Sequence, residues 1–263
     1  MCGIVGCVGY SNALEFLLAG LRRLEYRGYD SAGIALAHME RAEAIHVRKT
    51  AGRIDRLVSL IEAHPISGNI GIAHTRWATH GGATDRNAHP HLGGDGEVAV
   101  VHNGVIENCD SLRTRLEGLG YTFRSETDTE VIAHLIAQLL REAHLDPQEV
   151  VAKGYTPLVQ VIQSALSQLR GTWGLAILFR DYPGIIVGAR LGSPLIVGTG
   201  NGANFLASDA SALVGVADNV VFLSDNEIAL ITGEWVRVYH RDQGRVQPDF
   251  RRLDMSASDV DTG

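Results

Sequence analysis

Apolar residues follow one another without interruption at the start of the chain and then change to helical spacing. Residues 2–9 form an apolar run between glycines, which is typical of a short buried strand. After Ser11 and Asn12, either of which can cap a helix, leucines recur three or four residues apart as far as Leu24. The chain is therefore predicted to begin with a strand that leads into an amphipathic helix.

Strand-like runs rich in β-branched residues then recur, with one helical interruption. They predict strands at residues 32–37, 44–48, 70–77 and 98–103. A helical pattern covers residues 53–62, and the glycine-rich residues 81–96 are predicted to be loop. This first half of the chain is thus predicted to be mainly β.

A helical middle separates these strands from a second strand block. Helices are predicted from about Asp110, over 129–141 and over 158–169. Short β runs follow at 173–179, 184–189, 195–197, 205–207, 220–223, 228–231 and 236–239. Strand blocks with helices grouped between them favour an α+β sandwich over alternating βαβ units.

Composition limits the classes of protein that this chain can be. Of its 263 residues, 45% are hydrophobic and 20% charged, enough apolar material for one large domain or two small ones. The net charge is −7 and the basic residues are scattered, so no nucleic-acid partner is expected. No basic signal region or membrane-length apolar run is visible, and three irregularly spaced cysteines suit a reducing compartment. A cytoplasmic protein without a membrane partner is therefore expected.

Cys2 follows the initiator Met1 directly, at a terminus where residues are usually frayed and wet. Removal of Met1 would give one residue both a thiol, of pKa near ~8.5, and a free α-amine, of pKa near ~8, that can take the thiol proton. The alternative is that Cys2 is a small apolar side chain filling a strand. Cys7 and Cys109 are expected to be packing or surface residues.

Two further segments place polar groups at the ends of predicted strands. Arg76 is positioned to hold a carboxylate with two parallel hydrogen bonds, although a surface arginine over an aromatic ring has the same pattern. The side chain of Asn103 and the N–H group of Gly104 can together bind the negative oxygen of a tetrahedral intermediate. As a bare dipeptide, Asn-Gly is more often a turn.

Asp128 precedes the predicted helix at 129–141 and has two possible roles. Its carboxylate can accept hydrogen bonds from a substrate ammonium group. Alternatively, it caps the helix N-terminus, which from the local sequence alone is the more common role for an aspartate there.

Eleven histidines raise the possibility of a metal site. Several lie near one another in sequence, at His74, His80, His89, His91 and His102. However, no glutamate stands within a helical His-x-x-x-His frame and the thiols lack Cys-x-x-Cys spacing. Neither a metal nor another cofactor is predicted.

Five ordered segments resemble a known family. They are residues 1–6 (MCGIVG), 27–33 (RGYDSAG), 74–81 (HTRWATHG), 102–104 (HNG) and 126–130 (ETDTE). Together they closely resemble the class II glutamine amidotransferases, which are N-terminal-nucleophile hydrolases, and the likeness extends to about residue 240. The tyrosine of the second segment and the Trp-Ala-Thr-His-Gly sequence of the third resemble the branch that aminates a sugar phosphate.

The resemblance implies a four-layer αββα sandwich of two antiparallel sheets between helical layers, with L-glutamine as substrate. It implies that Cys2 is the nucleophile, with its freed amine as the base. Asn103 and Gly104 would form the oxyanion hole, while Arg76 would hold the glutamine α-carboxylate and Asp128 its α-ammonium group. It further places Trp77, Thr79 and His80 in the pocket wall and Arg27 near the nucleophile.

The same resemblance implies a domain organisation. Residues 1–240 would form the glutaminase domain, and residues 241–263 a linker toward sugar-isomerase domains absent from this chain. Those domains would bind fructose 6-phosphate and receive the ammonia, and the full-length enzyme would be a homo-oligomer. The competing hypotheses are a glutaminase domain of another class II amidotransferase, a non-catalytic glutamine-binding module and a metal-dependent hydrolase.

Overall fold

A computed structural model describes residues 2–77, 81–200 and 202–254 of the chain. The helices are α1 Ala13–Leu24, α2 Ile54–Ala63, α3 Cys109–Gly118, α4 Asp128–Ala143, α5 Pro147–Ala152 and α6 Thr156–Ser167. The first six strands are β1 Gly3–Val8, β2 Ser31–Ala37, β3 His46–Ala51, β4 Ile70–Arg76, β5 His91–Gly93 and β6 Val98–Ile106. The others are β7 Gly171–Phe179, β8 Ile186–Leu191, β9 Ile196–Gly200, β10 Ala203–Ala207, β11 Asn219–Phe222, β12 Glu227–Ile231, β13 Val236–His240, β14 Gly244–Val246 and β15 Arg251–Arg252.

The strands of the described residues form two antiparallel sheets. The first sheet has the order β15-β11-β9-β10-β1-β4-β2-β3, and the second has the order β14-β13-β12-β8-β7-β6-β5. β1 therefore lies in the interior of the first sheet, paired on one side with β10 and on the other with β4. In the second sheet, β6 pairs with β5 and β7.

Three apolar clusters show that the sheets form the inner layers of a four-layer sandwich. Side chains along β1 alternate: Val5 and Cys7 pack with α1 and α2 on the outer face of the first sheet, whereas Ile4 and Val8 point toward the second sheet. The outer face of the second sheet packs against α3–α6. A strand buried on both faces reads as a continuous apolar run, which explains the pattern of residues 2–9. The αββα sandwich implied by the family resemblance is confirmed.

The structure differs from the predicted elements where periodicity carries little information. The stretch predicted as loop contains β5, which has only three residues and pairs with β6. Gly93 ends this strand against α4, where an added Cβ would overlap the carbonyl oxygen of Ala133. The short helix α5 was also not predicted, because six residues are too few to establish a helical repeat.

None of the helices in the described ranges combines the length and apolar character needed to span a bilayer. The α4 helix is the longest of them, with 16 residues, and its N-terminal half is fully buried in the sandwich.

Glu130 anchors the buried start of α4. Its carboxylate accepts hydrogen bonds from the backbone N–H groups of Arg124 and Ser125, at 2.8 and 2.7 Å, and from the Ser125 hydroxyl at 2.6 Å. Burial by itself raises the pKa of this carboxyl, but His134 and these donors outweigh burial and lower the pKa from 4.5 to about 2. The ionised form therefore stabilises the segment that leads into α4.

We expect Glu130→Gln to lower the free energy of unfolding at pH 7 by about 1–3 kcal/mol, because an amide cannot accept from all of these donors. Since the folded-state pKa is depressed, this stabilisation is complete above pH ~4.5 and is lost as the pH falls toward 2. Urea titrations at several pH values measure it. Glu142→Gln, an exposed change at the other end of α4, is the control and should cost under about 0.5 kcal/mol. A gap between wild type and Glu130→Gln that stays constant from pH 7 to pH 3 would contradict this account.

Candidate active site

Cys2 stands immediately before β1, beside the end of β4. The antiparallel register that pairs Gly3 with Thr75 places Cys2 next to Arg76 and Trp77. The backbone N–H of Trp77 lies 3.2 Å from the Cys2 sulfur, and the Trp77 carbonyl lies 3.6 Å from it. The sulfur is therefore held by a backbone peptide rather than packed as one more apolar side chain of the strand.

The surroundings of Cys2 favour its neutral thiol. Burial raises the pKa of the Cys2 thiol, while the Trp77 N–H group and the positive charge of Arg76 oppose that shift without overcoming it. At neutral pH the sulfur thus retains its proton. Nucleophilic attack from this position requires a base that removes the proton during the reaction.

Asn103 reaches Cys2 from the other sheet. Its side-chain Nδ2 donates to the Cys2 carbonyl oxygen at 3.0 Å, and its Oδ1 lies 3.0 Å from Nε2 of His74. Asn103 and Gly104 lie within β6 and pair with Gly174 and Trp173, so this Asn-Gly pair is not a turn. The facing sheets thereby bring a side-chain amide next to the candidate nucleophile.

Arg76 is the last residue of β4 and is buried, which excludes the surface arginine considered from the sequence. Its guanidinium donates to the carbonyls of Gly81 and Gly82, both at 3.3 Å. Burial lowers the pKa of this guanidinium, and the nearby negative charge of Asp128 works in the opposite direction. A buried arginine at the strand end, in the field of Asp128, suits a substrate that carries both a carboxylate and an ammonium group.

Asp128 does not act as the helix cap considered from the sequence. It is the first residue of α4, whose N-cap is Thr127, and its carboxylate accepts a hydrogen bond from the backbone N–H of Ile106 at 2.8 Å. This contact fixes Asp128 to the end of β6, two residues beyond Gly104. The carboxylate is nearly buried, with the residue 7% exposed.

The remaining predicted site residues differ in how far the structure describes them. Trp77 is 45% exposed and packs edge-on against Tyr29, with the ring centroids 5.6 Å apart, so it borders the site. Arg27 forms an ion pair with Asp209 and its Nε donates to the Tyr26 hydroxyl at 2.9 Å. Thr79 and His80 lie outside the described residues.

A buried histidine network lies behind these groups. Its members appeared in the sequence only as weak candidates for a metal site. The rings of His74 and His89 stack with centroids 4.3 Å apart. The Thr129 hydroxyl lies 2.7 Å from Nε2 of His89 and 3.1 Å from Nδ1 of His102. Within the described ranges no group of His, Cys, Asp or Glu has the arrangement of a metal site. The network joins β4 and β6 to the start of α4 through hydrogen bonds.

A cavity of about 710 Å³ lies elsewhere, between α4, the part of β3 around Lys49 and the loop around Tyr121. Its lining includes His91 but neither Cys2 nor Asn103. Lys49, one of its charged lining residues, already donates to the carbonyls of Arg86, Ala88 and Pro90. The candidate chemistry therefore lies at Cys2 rather than in this cavity.

Comparison with known proteins identifies the class to which this arrangement belongs. A family model described as a glutamine amidotransferase domain matches residues 74–215, more than half of the chain. The chain belongs to the glutamine amidotransferase family.

Two curated relatives with the same name show which members of the family the chain resembles. Over 239 residues the chain is 47% identical to a glutamine–fructose-6-phosphate aminotransferase (isomerizing) of Zymomonas mobilis, covering 91% of this chain and 37% of that protein. A protein of the same name from Acinetobacter baylyi is 43% identical over the whole chain, which corresponds to 40% of its length. The chain thus spans about two fifths of the curated relatives that it matches.

Solved structures agree on the fold. The glutamine phosphoribosylpyrophosphate amidotransferase of B. subtilis superposes with a TM-score of 0.71 at 26% identity, over 97% of this chain and 50% of that chain. An allosteric regulatory enzyme of purine biosynthesis matches equally well, with a TM-score of 0.71 at 27% identity and the same coverage.

The backbone at Gly104 gives a test of how closely β6 packs against β7 beside Asn103. Gly104 has a φ of 138°, and a Cβ there would overlap the Thr172 carbonyl and approach Nε2 of His102 to 2.9 Å. We expect Gly104→Ala to destabilise the protein by several kcal/mol, more than the ~1–3 kcal/mol of a strained backbone alone. Urea unfolding measures it. Gly96→Ala is the matched control, since Gly96 has a φ of 81° but open space around its Cβ position. Equal losses in the two variants would show that the clash at Gly104 is relieved by a small shift.

Proposed function

We propose that this chain hydrolyses the side-chain amide of L-glutamine with Cys2 as the nucleophile, and that it supplies the ammonia for a glutamine-dependent aminotransferase. The observation that carries the proposal is the position of Cys2. Its sulfur is held by the Trp77 peptide and its carbonyl by Asn103, at the junction of the two sheets. Membership of the glutamine amidotransferase family supports glutamine as the substrate.

The first half-reaction forms a thioester. With Met1 removed, the α-amine of Cys2 takes the thiol proton as the sulfur attacks the amide carbon of glutamine. The carbon–nitrogen bond then breaks, and the proton passes from the amine to the departing nitrogen, which leaves as ammonia. Water next attacks the thioester, which releases glutamate and restores the thiol. A base is needed because burial keeps the Cys2 thiol protonated at neutral pH.

Asn103 and Gly104 stabilise the negative oxygen of the tetrahedral intermediates. The Asn103 amide has two N–H donors, and the Cys2 carbonyl takes one of them. The second donor and the Gly104 N–H group are assigned to the substrate oxygen. Donors fixed before the reaction stabilise charge that develops in the transition state more than charge in the bound substrate.

Arg76 and Asp128 recognise the constant part of glutamine. The guanidinium binds the α-carboxylate and the Asp128 carboxylate binds the α-ammonium group, because each is a buried charge that an ion of opposite sign would neutralise. Trp77, Thr79 and His80 complete the pocket wall. Arg27, paired with Asp209, supports the segment beside the nucleophile.

In a longer protein, the ammonia is proposed to aminate fructose 6-phosphate, the sugar phosphate in the names of the relatives. The glutaminase domain would occupy residues 1–240, with residues 241–263 leading toward the acceptor domains of a cytoplasmic homo-oligomer. Within that second segment, β14 still pairs with β13 and β15 with β11. Its described part therefore runs along sheet edges.

The terminal position of Cys2 gives the decisive experiment. We expect both Cys2→Ala and a chain that retains a residue ahead of Cys2 to lose glutaminase activity while keeping the fold, because the first lacks the sulfur and the second lacks the free α-amine. Glutamate release, intact mass and circular dichroism are measured on each protein. Cys109→Ala is the control and should remain active. Normal hydrolysis by protein that retains Met1 would contradict the terminal-amine mechanism.

Substrate recognition is tested at Asp128, where two roles can be separated. Asp128→Asn keeps an oxygen that can accept from the Ile106 N–H but removes the charge, so KM for glutamine should rise at least about tenfold while the melting temperature changes little. Asp128→Ala should lower the melting temperature as well, and Arg76→Ala should raise KM. A normal KM in Asp128→Asn would assign Asp128 a purely structural role.

A further inference from the structure

The orientation of the Asn103 side chain depends on a residue that the proposed mechanism does not use. An amide presents N–H donors on one side and an oxygen acceptor on the other, so a flipped Asn103 would turn its oxygen toward the nucleophile. An oxygen in that place would repel an oxyanion instead of stabilising it. Some neighbour must therefore make one orientation much more stable than the other.

His74 is that neighbour. This residue is fully buried on β4, and its Nε2 lies 3.1 Å from the His102 carbonyl and 3.0 Å from Oδ1 of Asn103. A backbone carbonyl can only accept a hydrogen bond, so the His102 carbonyl requires the proton to be on Nε2 of His74. An Nε2–H group in turn requires an oxygen, not an NH₂ group, on the adjacent side of Asn103.

The other side of the amide leads to the same orientation. Nδ2 of Asn103 lies 3.0 Å from the Cys2 carbonyl, which again can only accept. The two backbone carbonyls, of His102 and Cys2, thus determine both the His74 tautomer and the Asn103 rotamer.

The other ring nitrogen of His74, Nδ1, favours the same tautomer. Nδ1 of His74 is buried without a hydrogen-bond partner among the described residues, and the ring stacks on His89. A proton on Nδ1 would be a buried donor with nothing to receive it. Burial accordingly lowers the pKa of His74 to about 3, so the imidazole is neutral throughout the physiological range.

We propose that His74 is the positioning residue that holds the Asn103 amide with its N–H groups toward Cys2, and that it thereby sets the oxyanion hole without touching the substrate. This inference rests on the proposed role of Asn103 in glutamine hydrolysis. It assigns a function to the buried end of the histidine network, which the sequence suggested only as a weak metal site.

The test is a double-mutant cycle on glutaminase activity. We expect His74→Leu to lower kcat at least about tenfold, with KM nearly unchanged. The loss should not exceed the ~10²–10³-fold loss that is typical of removing an oxyanion donor. In an Asn103→Ala background, His74→Leu should cause no further loss, because its effect passes through Asn103. His74→Gln should recover part of the rate, since its amide nitrogen can donate from nearly the position of Nε2.

The matched control is His89→Leu. His89 is almost as buried as His74 and stacks on it, but its Nε2 contacts the Thr129 hydroxyl instead of Asn103. It should lose comparable stability and retain kcat within about threefold, a change too small for a lost oxyanion donor. Equal kcat losses in His74→Leu and His89→Leu, or losses that multiply in the double variant, would overturn the positioning role.

Two observations separate this inference from the function on which it rests. An unchanged kcat in Asn103→Ala would overturn the proposed oxyanion hole, and the role of His74 with it. A large loss in Asn103→Ala beside a normal kcat in His74→Leu would overturn the role of His74 alone. If His74→Leu does not fold, nitrogen-15 NMR of the wild-type imidazole decides: an Nε2–H tautomer is expected, and an Nδ1–H tautomer would refute the proposal.

Discussion

The hydrogen bond from the Asn103 side chain to the Cys2 carbonyl connects the two sheets at the point where the chain begins. Chain termini usually fray because nothing fixes them, but here β1 is paired with β4 from Gly3 onward and with β10 from Val5 onward. The Cys2 carbonyl is also held from the opposite sheet. The sandwich thereby places Cys2 as firmly as an interior residue. The proposed mechanism, in which Cys2 uses its own α-amine, requires that precision, since the amine has no other element to position it.

Burial keeps some groups of the site neutral, whereas others remain charged. Burial keeps the Cys2 thiol protonated and the His74 ring neutral, so these two groups take part as hydrogen-bonding partners at rest. Arg76 and Asp128 remain as opposite charges on neighbouring elements, one ending β4 and the other starting α4. In the proposed function, a zwitterionic amino acid is matched by charge at one end, and its side-chain amide meets mainly neutral donors at the other.

Glycine positions show how closely neighbouring backbone segments approach around this site. Gly28 lies against the Arg76–Trp77 peptide, where a Cβ would come within 2.7 Å of the Arg76 carbonyl carbon. Gly104 lies against the backbone of β7 with a φ that side chains rarely adopt. These glycines belong to the RGYDSAG and HNG segments, so their presence in those segments has a packing reason in this structure.

The alternation of strand blocks and helices could be predicted from apolar periodicity, because that periodicity depends only on local burial. The sequence also supplied, through resemblance, the sandwich and the set of candidate residues. The local alternatives for Arg76, Asn103 and Asp128 were resolved by contacts between distant segments of the chain. Arg76 is buried, Asn103 lies within a strand, and the Asp128 carboxylate is bound by the Ile106 N–H group. The role proposed for His74 could not be predicted for the same reason, whereas the three residues of β5 are too few to show a strand period. A neutral histidine leaves no pattern in sequence that tells which carbonyl its ring will meet.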